Sequence, residues 1–193
     1  MSTKRALLDV TARLFAEHGW RGTTTRRIAE GAGVNEVTLF RLFRSKEALV
    51  DEAIREVAHE VHPERGLPAV PRAMRRELAD WSSGQHGRMK QFAPLIRTCL
   101  AEVGERPELA AAVCDGSVVA LADAVRYFRQ ARELELIGRE GSIEAAAVML
   151  MNAVFMDAVT RDVVEGCRTV PESEAIGEFV DLTLRALGAK EIR

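Results

Sequence analysis

The chain has 193 residues, 47% of them hydrophobic and 29% charged, with a formal net charge of −2. This balance excludes a disordered chain and fits one large domain or a small module joined to a larger one. The charge is unevenly placed: residues 1 to 50 hold nine Lys or Arg against five Asp or Glu, and the remainder carries a net −6, the pattern of a basic module that meets a polyanion and a body that does not.

Met1 to Asp9 lack the apolar run of a signal peptide, and the most apolar stretch, Ala145 to Met156, is interrupted by Asn152. The expectation is a cytoplasmic protein with no membrane partner. Cys99, Cys114 and Cys167 are odd in number and widely spaced, which indicates neither a zinc ribbon nor a disulfide framework and leaves buried structural thiols. His59, His62 and His86 do not make a convincing metal set, so no metal and no cofactor is expected. With no Gly-rich phosphate loop and no Gly-x-Ser-x-Gly elbow, an enzyme is not indicated.

In chain order, a first helix runs from Thr3 to His18, buries Leu7, Leu8, Val10, Ala12, Leu14 and Phe15, and stops at Gly19. Thr24 caps a second helix with Ile28 and Ala29 on its apolar face, and Gly31 and Gly33 supply the positive φ of a sharp turn plugged by Val34. Asn35 caps a third helix that ends near Phe43. Leu39 and Phe43 share its inner face, and Glu36, Val37, Phe40 and Arg41 lie on the outer one. This pair reads as a helix-turn-helix whose outer face is free to enter a major groove. Ser45 caps a fourth helix, carrying Ala48, Leu49, Ala53 and Val57, to the break at His62-Pro63.

The ordered run from Leu14-Phe15 through Gly19-Trp20, Thr24-Thr25, Ile28-Ala29, Ala32-Gly33-Val34, Thr38-Leu39-Phe40, Phe43 and Ser45-Lys46-Glu47-Ala48-Leu49 resembles the TetR family of bacterial transcription regulators. The resemblance covers about the first fifty residues. It implies that Thr24, Thr25 and Lys46 clamp phosphates at helix amino termini. It also implies that Arg26 reads a guanine, and that Arg27 holds a phosphate or an acid of its own domain. On the third helix, which Asn35 opens, Glu36 would accept from a cytosine amine, Val37 would pack on a thymine methyl and Thr38 would serve a base or a phosphate. Phe40 departs from the family's usual Tyr and lacks its phosphate-donating hydroxyl, for which Arg41 and Arg44 compensate. Leu42, in place of a frequent His, is expected to join the module's core.

Residues 1–62, including part of the connecting helix 45–62, are therefore expected to form the DNA-binding domain, and residues 71–193 an all-α second domain. Its helices are predicted near 71–83, 87–102 with a kink at Pro94, 107–135 with a break around Asp115-Gly116, 142–165 and 172–187. The resemblance further implies a homodimer through the last two helices, on the apolar surface of Ala145 to Met149, Ala153, Val154, Ile176, Phe179, Val180, Leu182, Leu184 and Leu187. It implies as well a small-molecule effector among the middle helices, for which Trp81, Met89, Phe92, Leu95, Leu121, Val125, Phe128, Met149 and Phe155 are candidate lining residues. Candidate polar orienters are Gln85, His86, Arg97, Asn152 and Asp157. The expected function is that of a repressor released from its operator by a small apolar or amphipathic ligand. The alternative is a regulator whose second domain answers to a protein partner or to no small ligand.

Overall fold

A computed structural model describes residues 2–61, 66–164 and 170–190, with the side chains of 61, 108 and 110–116 outside that description. His62, Cys167 and the Cys114 side chain therefore lie outside the described residues. The protein is all-α, and no strand occurs among the described residues. The helices are α1 (Thr3–Gly22), α2 (Thr25–Gly31), α3 (Glu36–Phe43), α4 (Lys46–Val61), α5 (Met74–Gln91), α6 (Ala93–Glu102), α7 (Glu108–Glu133), α8 (Ile143–Thr160) and α9 (Glu172–Ala186).

Two compact units form. The first holds α1 to α4, α6 and the first turns of α7, and the second holds α5, the rest of α7, α8 and α9. These packing units differ from the expected division at the 63–71 loop, because α6 joins the first helices. Thr98 Oγ1 donates to the Ala16 carbonyl at 3.0 Å, and Leu95 and Cys99 bury against Phe15, Val50 and Ile54. The Cys99 thiol is fully buried, and burial pushes its pKa up to about 12, as expected of a structural thiol.

In the first unit α1 packs on α2, α4 and α6. Leu7, Leu14, Ile28, Leu39, Phe43 and Leu49 form one buried cluster, each side chain contributing about 1.5–3 kcal/mol relative to exposure. Gly19 interrupts α1 with φ 62° and ψ −169°, and a Cβ there would stand 2.8 Å from Glu102 Oε1. The positive φ requires glycine, whereas the Glu102 carboxylate, at the end of a flexible side chain, can swing aside. Of the two turn glycines only Gly33 has positive φ (69°). Gly31 is needed for a different reason, since its Cβ would meet Val10 Cγ1 at 2.8 Å.

In the second unit α5 packs on α8 and α9, and α8 packs on α9. Helix α5 runs unbroken through Gly84 and Gly87, where the sequence predicts an end. Its Trp81, Gln85, His86 and Met89 are buried on both sides of the glycines, and that burial outweighs about 1 kcal/mol of helix propensity per glycine. The break falls instead at Phe92, with a proline in the first turn of α6. Helix α7 likewise passes through Asp115-Gly116 without interruption. Helix α8 is apolar enough to pass for a membrane span. It nevertheless buries Ala147, Leu150, Val154 and Ala158 inside its own unit and carries Asp157 in an ion-pair cluster.

Candidate nucleic-acid interface

The hairpin α2–α3 is held by short-range hydrogen bonds that the residue types dictate. Thr24 caps α2 by accepting from the Arg27 N–H, and Asn35 Oδ1 caps α3 by accepting from the Thr38 N–H at 2.8 Å and from Thr38 Oγ1 at 3.0 Å. Thr25 Oγ1 donates to Glu36 Oε1 at 2.7 Å, tying the amino terminus of α2 to that of α3. In this structure the Thr38 hydroxyl thus serves the cap, and Thr25 orients Glu36.

The outer face of α3 is open. Val37 is 75% exposed, Phe40 44%, and Arg41 is exposed beside them, whereas Leu39 and Phe43 are buried. Leu42 is 41% exposed, which overturns its expected place in the core. Leu39 and Phe43, one turn apart, already fill the inner face of so short a helix, and Leu42 falls outside their stripe.

Three other candidate cations, Arg26, Arg27 and Lys46, have intramolecular partners. Arg26 projects from α2 and pairs with Glu30 at 2.9 Å, one turn along. Arg27 donates to the Gly22 carbonyl at 2.7 Å, a backbone partner where a phosphate or an acid of its own domain was expected. Lys46 Nζ donates to the Trp20 carbonyl at 2.5 Å and lies 4.1 Å from the centroid of the Trp20 ring. Burial and then the charge of Arg106 hold its ammonium below the usual lysine value. Trp20, Glu102 and Arg106 around Lys46 are missed by a reading of the sequence, because no local pattern relates Lys46 to positions 26 to 60 residues away.

Residues 7–53 match the model of the bacterial regulatory proteins of the tetR family. The KstR2 repressor of Rhodococcus jostii is 53% identical over 49 residues, 25% of this chain and 24% of that one. The amino-terminal module is that of the tetR family. The AcnR repressor of Corynebacterium efficiens is 29% identical over 187 residues, covering 94% of this chain and 90% of its own. The match spans only about a quarter of the length of the KstR2 relatives. A TetR regulator from Agrobacterium tumefaciens shares the fold with a TM-score of 0.78 at 16% identity, covering 97% of this chain and 95% of that one. Salmonella enterica GusR does so with 0.72 at 21%, covering 96% and 95%.

In the second unit the candidate effector residues separate. Met89 and Phe128 are packed into the core, Leu121, Val125 and Phe155 are half-buried, and half-buried Phe92 opens α6 in the other unit. Trp81 lines a cleft of about 390 Å³ with Leu67, Glu77, Asp80, Gly84 and Arg88. Two residues leave the set. Met149 is 70% exposed and Asn152 is exposed, since both stand on the outer face of α8 with Ala145, Val148 and Met156.

The polar candidates also separate. His86 Nε2 shares a 2.8 Å hydrogen bond with Asp157, which also accepts from Arg161, and Arg161 donates to the Val170 carbonyl at 3.0 Å. Burial alone would raise the Asp157 pKa, but the hydrogen bonds from Arg161 and His86 together hold it below the usual aspartate value. Ser82 Oγ and Gln85 Oε1, both buried on α5, have no hydrogen-bond partner among the described residues. Arg97 is half-buried on α6 in the first unit. No group of three or more His, Cys, Asp or Glu among the described residues could hold a metal ion.

Proposed function

We propose that the protein is a cytoplasmic, sequence-specific DNA-binding repressor that acts as a homodimer. The observation that carries this reading is the capped α2–α3 hairpin, which turns Val37, Phe40 and Arg41 outward around a Thr25-oriented Glu36. Apolar, cationic and carboxylate groups on one free helix face are the chemistry that thymine methyls, guanine edges or phosphates, and cytosine amines require. Thr24 and Thr25 at the start of α2 and Lys46 at the start of α4 take the phosphates, with Arg26, released from Glu30, as a base reader. The repressors to which the chain is similar support the repressing sense.

The dimer reading rests on the outer stripe of α8, where Ala145, Val148, Met149, Asn152 and Met156 recur at helical spacing, together with exposed Leu182 on α9. A small amphipathic effector is supported by the cleft at Trp81 and by the unsatisfied Ser82 and Gln85 on the same helix. Selection of bound duplexes from a random-sequence pool by the full chain tests the function. A two-fold symmetric consensus that changes at one position with Val37→Ala is the expected result, and a pool that never enriches overturns it. Addition of candidate amphipathic metabolites to the same assay identifies the effector by release of the DNA.

A further inference from the structure

Trp20 is held at three points. Its main-chain N–H donates to Glu102 Oε1 at 3.0 Å, its ring carries the Arg106 guanidinium with Cζ 3.4 Å from the centroid, and its carbonyl accepts from Lys46. Glu102 ends α6 and Arg106 lies in the short connection to α7, so both come from outside the helix-turn-helix. Gly19, the residue before Trp20, takes the positive φ that turns the chain there and leaves room for the Glu102 carboxylate.

The consequence falls on Lys46. An ammonium has three N–H donors, and the Trp20 carbonyl takes one of them while the indole face fixes the direction of the side chain. A free lysine must give up its rotamer freedom to grip a phosphate, but this one has already given it up. It is seated beside the Ser45-capped amino terminus of α4, where the helix dipole also favours an anion.

We infer that Trp20, Arg106 and Glu102 are positioning residues for DNA binding: they preorganise the Lys46 ammonium for a backbone phosphate from a corner outside the DNA-reading helices. The inference rests on the DNA-binding reading above. Neither Trp20 nor Arg106 needs to touch DNA for this role. The α6–α7 corner thereby acquires a direct hold on the strength of the sequence-independent grip.

The test is a salt titration of the full chain on a short random-sequence duplex, with the melting temperature of each variant measured alongside. Lys46→Ala is expected to weaken binding severalfold and to reduce the slope of log affinity against log salt by about one. Trp20→Leu should reproduce most of that loss in a folded protein, and Trp20→Phe, which keeps a ring face, should restore it. Arg106→Ala, which leaves the buried core intact, should act in the same direction but less strongly. In a Lys46→Ala background neither Trp20→Leu nor Arg106→Ala should have any further effect on affinity or slope. Losses that add to that of Lys46→Ala, or a wild-type slope in Trp20→Leu and Arg106→Ala, overturn the inference. Absence of salt-dependent binding in the wild-type chain instead overturns the DNA-binding reading, and the two failures are distinct.

Discussion

Helices α3 and α8 each bury one apolar face and expose another, and the exposed faces differ in what stands between the apolar side chains. On α3, Val37 and Phe40 alternate with Thr38 and Arg41 just beyond a capped amino terminus, so apolar contact, cations and a positive helix end share one small surface. On α8, Val148, Met149 and Met156 share the exposed stripe with Ala145 and Asn152, and no basic residue stands on it. The first surface suits a polyanion whose bases carry methyl groups. The second suits another protein surface of its own kind.

The largest effect should come from putting the same charge on both faces. Met149→Glu buries a carboxylate in the proposed α8 interface, which costs several kcal/mol, and the chain should sediment as a monomer at micromolar concentration. Val37→Glu should leave the dimer intact and abolish binding to the selected duplex. If sedimentation shows Met149→Glu still dimeric, the α8 stripe is not the interface.

The inner side of α8 sharpens the contrast. Asp157→Asn removes a buried carboxylate that His86 and Arg161 both engage, and calorimetry should show a loss on the order of 2 kcal/mol. The pH sign follows from the depressed pKa. The folded carboxyl titrates below its unfolded value of about 3.9, so its contribution is present above that pH and disappears as pH falls through the folded value. The acid limb of the stability curve should therefore be flatter in Asp157→Asn. An unchanged limb would show that the cluster carries no linkage.

Smaller changes probe α3. Phe40→Tyr adds a donor to an exposed ring and should tighten binding to operator and random duplex alike by about 1.5 kcal/mol at best, since phosphates carry no sequence. A gain confined to the operator would place the ring against a base. Asn35→Ala deletes the cap of α3 and should cost about 1 kcal/mol of stability, as read by chemical denaturation.

These elements also show how far the fold could be read from the residues. The caps at Thr24, Asn35 and Ser45 were legible because a cap and its partner N–H lie three residues apart. The buried stripe of α1 was legible for the same reason, helical periodicity being local. Helix α5 was misjudged at Gly84 and Gly87 because tertiary burial of Gln85, His86 and Met89 overrides local propensity. Met149 and Asn152 read as pocket residues in the sequence because a helix apolar all round does not reveal which of its faces is turned inward. The Trp20 seat of Lys46 and the His86–Asp157 pair join residues 26 and 71 positions apart, and a single sequence holds no signal for either.

As proposed, the free face of α3 and the helix termini around it hold DNA as part of a two-fold pair. Affinity of the full chain for its selected duplex, measured across a salt series with the stoichiometry determined in the same experiment, tests it most directly. Two chains per symmetric duplex and an affinity that falls steeply and linearly with log salt are expected. A slope near zero, or specific binding by a single chain, would contradict it.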